Sequence, residues 1–239
     1  MDENIIKIFI SSPFKDLQGE RCSVKQAIED ANQIFSEYRI ALIPVDLQKG
    51  ARPIPPLDEC LNVLAKCNVF IGLLGFRYGS IDSETGISVS ELEYDKSCEL
   101  NLPSLIYFRD RLSLVAMEYR DTDQELINKR EKFEKKIEKN HKRETFNTPD
   151  ELRACVLRDL LHVIFDYEGV KNIISSFDKN EMPCVVEEFF SRLSKKDLQP
   201  CIKIALDNKV KAELKRLGLT SIRIKMLKEL LGFTSLEFY

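Results

Sequence analysis

The chain has 239 residues, of which 44% are hydrophobic and 31% charged, and its formal net charge is −3. These proportions exclude a collagen-like, low-complexity or wholly disordered chain, and the slight acidic excess argues against a dedicated nucleic-acid binder. The apolar runs, such as Val69 to Leu74, stop far short of the ~20 residues a membrane-spanning helix requires. At ~150 residues per domain the length allows one domain and part of a second.

The pattern of short β-rich runs and longer helical ones begins at once. Ile5 to Ile10 reads as a buried strand. Leu17 to Tyr38 reads as a helix, with Val24, Ala27, Ile28, Ala31 and Ile34 or Phe35 on one face. Ile40 to Val45 is a second strand, and a loop containing Pro53, Pro55 and Pro56 leads to a helix over Leu57 to Lys66. Val69 to Leu74, apolar except at Gly72, has the composition of a central strand. A polar loop precedes a helix over Ser88 to Leu100, and Leu105 to Phe108 is the fourth strand.

A charged helix is expected over Asp123 to Lys139, and a fifth strand around Lys142 to Phe146. Thr148-Pro149-Asp150-Glu151 then combines an N-cap, a proline at the first helical position and an acid at the third. The helix it starts runs through Leu152, Val156, Leu160 and Ile164 and ends near Gly169. The alternation predicts an α/β fold with a parallel sheet covered on both faces.

Beyond Val170 only short amphipathic helical patterns remain. The last 69 residues carry 13 basic against 9 acidic side chains, and the preceding residues 23 against 30. The expected division is an α/β domain over 1–168 and a small α-helical appendage over 169–239. Seventy residues make a marginal core, so residues 170–239 are expected to lean on a partner or on a second copy.

Seven cysteines stand against two histidines, with an odd count, irregular gaps and no Cys-x-x-Cys. That disfavours a disulfide framework or a metal site and suits a reduced, cytoplasmic protein. His141 and His162 have no partner at metal-ligand spacing. The P-loop, the dinucleotide fingerprint, the nucleophile elbow and the zincin motif are all missing from the sequence. Residues 129–143 hold eight Lys and Arg against three Glu, but a surface helix with Glu131–Lys135 and Glu138–Lys142 at i, i+4 explains them without nucleic acid.

In a 2-1-3-4-5 sheet, ligands bind beyond the carboxyl ends of strands one and three. The segments emerging there are Ser11-Ser12-Pro13-Phe14-Lys15-Asp16 and Gly75-Phe76-Arg77-Tyr78-Gly79-Ser80. The helix after them presents Ser88-Val89-Ser90-Glu91-Leu92-Glu93 at the same mouth. Ser88 and Glu91 have the spacing of a capping box. Glu93 shares its face with the small Ser90 and Ser97, which predicts room for a ligand above it. The two glutamates lie about 200° apart around the helix, so only one can face the crevice. A solvated surface acid is the plain alternative for Glu93, and spacing alone leaves the choice open.

The blocks Lys7-Ile8-Phe9-Ile10-Ser11-Ser12-Pro13-Phe14-Lys15-Asp16-Leu17, Val69-Phe70-Ile71-Gly72-Leu73-Leu74-Gly75-Phe76-Arg77-Tyr78-Gly79-Ser80 and Ser88 to Asp95, with Glu20-Arg21, resemble a TIR-like family of unknown function. Its members often front NACHT, TPR or WD-repeat signalling proteins. The resemblance covers about residues 5 to 165; the family usually has Thr at Pro13 and Ala at Ser97. It implies a TIR-like domain with a flavodoxin-type sheet in the order 2-1-3-4-5, related to nucleoside deoxyribosyltransferases, in which a glutamate after the third strand acts at the anomeric carbon of a ribosyl N-glycoside. Glu93 occupies that frame and Glu91 does not. The implied activity is hydrolysis of NAD+ or a related nucleotide when assembled, with NAD+ as substrate and no cofactor.

Ser11 and Ser12 would then hold phosphate or ribose hydroxyls, with Asp16, Ser88 and Ser90 also lining the site. Phe14 or Tyr78 would stack on the base and Arg77 would pair with phosphate. Core packing for Phe14 and loop packing for Arg77 and Tyr78 are the equally simple alternatives. A non-catalytic association module, with the helical tail as its docking surface, is the competing expectation for the whole protein.

Overall fold

The computed structural model describes residues 4–13, 15–36, 40–47 and 57–166. Along the chain these form β1 (Asn4–Ser11), α1 (Gln18–Ser36), β2 (Ile40–Val45), α2 (Leu57–Leu64), β3 (Val69–Leu74), α3 (Val89–Glu99), β4 (Ser104–Arg109), α4 (Gln124–Glu138), β5 (Glu144–Phe146) and α5 (Pro149–Asp166). The five strands make one parallel sheet in the order β2-β1-β3-β4-β5, the flavodoxin-type order that the family resemblance implies. The expected helical appendage and the proline loop lie outside the described residues.

Strand periodicity divides the core into two layers. Ile6, Ile8 and Ile10 of β1, Val69, Ile71 and Leu73 of β3 and Tyr107 of β4 point to one face. There they pack on Val24, Ala27, Ile28, Ala31 and Phe35 of α1 and on Leu152, Val156, Leu160 and Ile164 of α5. Phe9, Phe70, Leu74, Ile106 and Phe108 point to the other face, under Leu64 of α2, Tyr94 of α3 and Phe133 and Ile137 of α4. Every residue of β3 is buried, as its near-continuous apolar run requires of a strand covered on both sides.

Local hydrogen bonding sets several boundaries. Lys66 N–H donates to Val63 O and Cys67 N–H to Leu64 O, so α2 tightens into a three-residue turn and stops two residues earlier than expected. Thr148 Oγ accepts from Glu151 N–H at 3.2 Å and caps α5 as its motif predicts. The Glu151 carboxylate accepts from Asn147 N–H at 2.9 Å. At Gly72 a Cβ would lie 2.9 Å from Ile106 Cδ1 and 3.1 Å from Phe70 Cε1, so a larger residue in this otherwise bulky strand requires those side chains to shift.

The basic helix α4 behaves as a salt-bridged surface element, with partners other than those its spacing suggested. Lys129 pairs with Glu125 at 2.9 Å, and Lys136 reaches across to Glu91 and Asp95 of α3. Among the described residues no helix is long and apolar enough to cross a membrane, and no group of three or more His, Cys, Asp and Glu could hold a metal ion. Cys60, Cys67 and Cys155 are buried thiols, whereas Cys22 and Cys98 are exposed. Burial pushes Cys60 and Cys67 up to about 11 and Cys155 up to about 12, so these three stay as thiols at neutral pH.

Candidate functional site at the strand switch point

Ser11 is the last residue of β1 and lies opposite Gly72 of β3, where the winding of the sheet reverses. Above it runs α3, started by Ser88, whose backbone is extended (φ −72°, ψ 146°) and whose hydroxyl accepts from Glu91 N–H at 3.2 Å. From that start, helical geometry turns Glu93 inward and Glu91 outward. Ser11 Oγ donates to Glu93 Oε2 at 2.5 Å, joining residues 82 positions apart in the chain. Glu93 is 6% exposed, so the choice that spacing left open is made by packing.

The electrostatics of Glu93 follow from that burial. Removal from water pushes its carboxyl from 4.5 up to about 7, against the lowering effects of the Ser11 hydrogen bond and of the Arg21 charge. At neutral pH the group is divided between its ionised and protonated forms. A carboxyl of this kind at a strand switch point has the physical character of a functional acid or base.

Glu91 is engaged elsewhere. Tyr78 Oη donates to it at 2.7 Å and Lys136 Nζ at 3.1 Å, so its carboxylate links the β3–α3 loop to α4 and does not close the capping box on Ser88 N–H. Tyr78 N–H is held by Asp121 at 2.6 Å. Gly79, at φ +98°, turns this loop against Pro13, whose Cγ would lie 3.5 Å from a Cβ there. The segment Arg77–Gly79 thereby forms a strap across the mouth of the crevice.

Under the strap the crevice is closed. The cavity bounded by Ser11, Pro13, Tyr78, Ser90 and Tyr94 measures about 10 Å³, room for a water molecule at most. Ser97, expected to leave space, is fully buried and donates its hydroxyl to Tyr94 O at 2.7 Å. Ser90 lines the small cavity, and Ser88 is buried as the helix cap. Phe14 lies outside the described residues.

The remaining candidates are placed on two sides of the strap. Ser12 is buried, and its hydroxyl accepts from Arg21 Nη1 at 2.7 Å. Asp16 faces a separate groove of about 730 Å³, shared with Lys15, Arg77, Arg109, Leu114 and Tyr119. Its Oδ2 accepts from Phe76 N–H at 3.2 Å, and burial raises its carboxyl from 3.8 to about 6, opposed by backbone hydrogen bonds and by Arg77. Arg77 stands between groove and crevice, donating to Glu118 O at 3.2 Å.

Sequence reasoning gave no role to Arg21, which organises the floor of this region. It pairs with Asp46, donates to Ser12 Oγ, and donates to Ile10 O at 3.3 Å. Its position one turn before Val24 and two before Ile28 placed it on the apolar face of α1, a detectable signal for a buried cation. The ion pair between Glu20 and Arg109, which ties α1 to the end of β4, had no comparable signature.

Comparisons with known proteins bear on this domain. A TPR repeat-containing protein of Dictyostelium discoideum is 46% identical over 83 residues, 32% of this chain. Telomerase protein component 1 of Mus musculus is 31% identical over 134 residues, 44% of this chain. Each alignment spans 5% of the relative's own length. Among solved structures, a diflavin flavoprotein A3 from Nostoc sp. is similar over 68% of this chain and 99% of its own, at 12% identity and a TM-score of 0.30. Residues 7–161, which hold the whole sheet apart from the first residues of β1, match the domain of unknown function DUF4062, and the chain belongs to that family.

Proposed function

We propose that this domain is a TIR-like signalling or defence module that hydrolyses the N-glycosidic bond of NAD+ or a related nucleotide when assembled. The observation that carries this reading is the Ser11–Glu93 pair, a buried carboxyl held by one hydroxyl at the strand switch point. In the proposed reaction the bond between C1′ of the ribose and the base nitrogen breaks, and its electron pair leaves with the base. Ionised Glu93 stabilises the positive charge that develops at C1′, as carboxylates do in glycoside hydrolysis. Water then adds to C1′ and releases a proton, for which carboxylate and solvent are both acceptors.

Ligand pockets ordinarily measure ~300–1,000 Å³, so the strap at Arg77–Gly79 has to lift before a nucleotide can enter. Its anchors, Glu91, Asp121 and Pro13, are contacts that association of domains can rearrange. The test is release of base from NAD+ and from nicotinamide mononucleotide by the full chain at high concentration. Glu93→Gln is expected to abolish it with the fold intact, and full activity in that variant would exclude the reading.

A second reading, a non-catalytic association module in the cytoplasm, is favoured by a different observation. Leu112, Leu114 and Met117 between β4 and α4 are 89%, 102% and 72% exposed, an unusual density of apolar side chains in one loop. A TPR repeat-containing relative also suits a role in protein interaction. This reading expects concentration-dependent self-association that needs residues 170–239, measured by sedimentation of the full chain and of a chain ending at residue 169. Unchanged assembly of the shortened chain would count against it.

A further inference from the structure

The loop between β4 and α4 keeps its shape without burying its large apolar side chains. Arg120 stacks on the Phe76 ring at 4.0 Å and donates to Ser113 O at 3.0 Å and to Val115 O at 3.3 Å. Asp110 Oδ1 accepts from Leu112 N–H at 2.7 Å, and Asp121 N–H donates to Phe76 O at 3.1 Å. These bonds fix the backbone while Leu112, Leu114 and Met117 face water. A surface ordered in advance spares its partner the entropic cost of ordering it.

Charge narrows the choice of partner. Residues 110–125 hold five Asp and Glu against two Arg. Both arginines are engaged, Arg111 with Glu134 and Arg120 with the loop carbonyls. Glu118, Asp123 and Glu125 are exposed, although Glu125 shares Lys129. Alongside runs the groove of about 730 Å³, whose apolar wall is Leu114, Val115, Ala116 and Tyr119. Of its cations, Arg109 is paired with Glu20 and Arg77 stands 3.9 Å from Asp121, which leaves Lys15. A rigid surface that is both apolar and acidic suits a basic amphipathic helix.

The same chain has that pattern in its sequence. Residues 203–228 hold eight Lys and Arg against two Asp and Glu. Within them Val210, Leu214 and Leu217 stand at i, i+4 and i+7, with Lys209, Lys211, Lys215 and Arg216 between. We propose that residues 209–217 dock on the β4–α4 loop of their own chain, apolar face on Leu112, Leu114 and Met117 and lysines toward Glu118, Asp123 and Glu125. The assignment rests on the exposed loop that the association reading uses, and it names the occupant. Reach permits it: α5 carries the chain down the sheet to Asp166, an 18-residue helix of ~27 Å. The 42 residues 167–208 can extend over ~140 Å, at ~3.3 Å each, and so return to the loop. Tethering also presents the segment at an effective concentration of ~1 mM, which favours its own domain over a second copy at micromolar protein.

Carbodiimide cross-linking of the full chain tests this, because it joins a lysine to a carboxylate only where the two meet. An equal mixture of unlabelled and nitrogen-15-labelled chains at micromolar concentration shows whether both ends belong to one molecule. Peptides joining Lys209, Lys211 or Lys215 to Glu118, Asp123 or Glu125 are expected, each from a single chain. Leu112→Ser combined with Leu114→Ser, both at exposed positions, is expected to lower their yield about 10-fold. Ile81→Ser, exposed in the β3–α3 loop, is expected to leave the yield unchanged. Absence of these peptides, or parental yield in the double variant, would overturn the assignment. Peptides pairing a labelled chain with an unlabelled one would overturn it as well, by giving the surface to a second copy. A chain that sediments as a monomer and still forms the single-chain peptides keeps the assignment and excludes self-association, so the two fail separately.

Discussion

The Ser11 hydroxyl donates a 2.5 Å hydrogen bond to a Glu93 carboxyl that the fold has removed from water. The bond favours the ionised form and burial favours the protonated one, and burial wins, lifting the group to about 7. In the unfolded chain the carboxyl has its ordinary value of 4.5, so the folded protein binds this proton more tightly. Its contribution to stability is therefore complete below about pH 4.5 and is lost as pH rises through about 7. Asp16, raised from 3.8 to about 6, acts with the same sign over a lower window.

Glu93→Gln removes the titration and retains a side-chain acceptor for Ser11. Relative to the parent, the variant is expected to gain up to about 3 kcal/mol between pH 5 and pH 8, from ~1.4 kcal/mol per pKa unit. Urea unfolding at the two pH values measures it, and parallel pH profiles for the two proteins would show that Glu93 is not the buried acid described.

Ser11→Ala leaves the Glu93 carboxyl buried without its hydroxyl donor. A loss of about 1–3 kcal/mol is expected at pH 8. The Glu93 titration should also move upward, as followed by carbon NMR of the carboxyl. An unchanged titration would mean that the short bond contributes nothing to holding the charge.

Arg21 and Asp46 are 4% and 6% exposed at their side chains, and Lys25 adds a second positive charge to the same carboxylate. Asp46 is thereby held below its ordinary range despite the opposing effect of burial. Arg21→Met strands Ser12, Ile10 O and half of the neutralisation of Asp46. A cost of about 3–5 kcal/mol is expected in urea unfolding, the size seen when one partner of a buried pair is removed.

Tyr78→Phe deletes the hydroxyl that ties the strap to Glu91 and leaves the ring in place. The expected global cost is about 1 kcal/mol. The amide protons of residues 76–80 should exchange faster while those of β3 and α5 stay protected. Uniform acceleration across the domain would mean that the strap opens only with global unfolding.

Gly72→Ala introduces a methyl 2.9 Å from Ile106 Cδ1 in the most enclosed strand. Overpacking here is expected to cost about 1–3 kcal/mol, read from the midpoint of thermal unfolding.

The run Val69-Phe70-Ile71-Gly72-Leu73-Leu74 by itself determined a strand buried on both faces, and the spacing of Val24, Ala27, Ile28 and Ala31 determined the inner face of α1. A parallel sheet followed, because strands joined by helices pack side by side through right-handed crossovers. Local polar signals were legible too: Ser88 and Thr148 cap the helices that their positions announce. These features depend on residues a few positions apart, and a linear pattern records them directly.

Tertiary structure alone decided the partners of the charged groups. Glu91 and Glu93 are both acids on the first turns of α3. One is held by Tyr78 and Lys136, and the other is sealed against Ser11, 82 residues away. The convergence of Arg111, Arg130 and Arg143 on Glu134 likewise joins side chains from three separate segments, which no local pattern records. A side chain's titration and bonding depend on how much water its neighbours exclude, and those neighbours are assembled only when the sheet closes. A composition slightly acidic and poor in histidine limited which chemistry was available; burial selected the carboxylate that stands at the switch point.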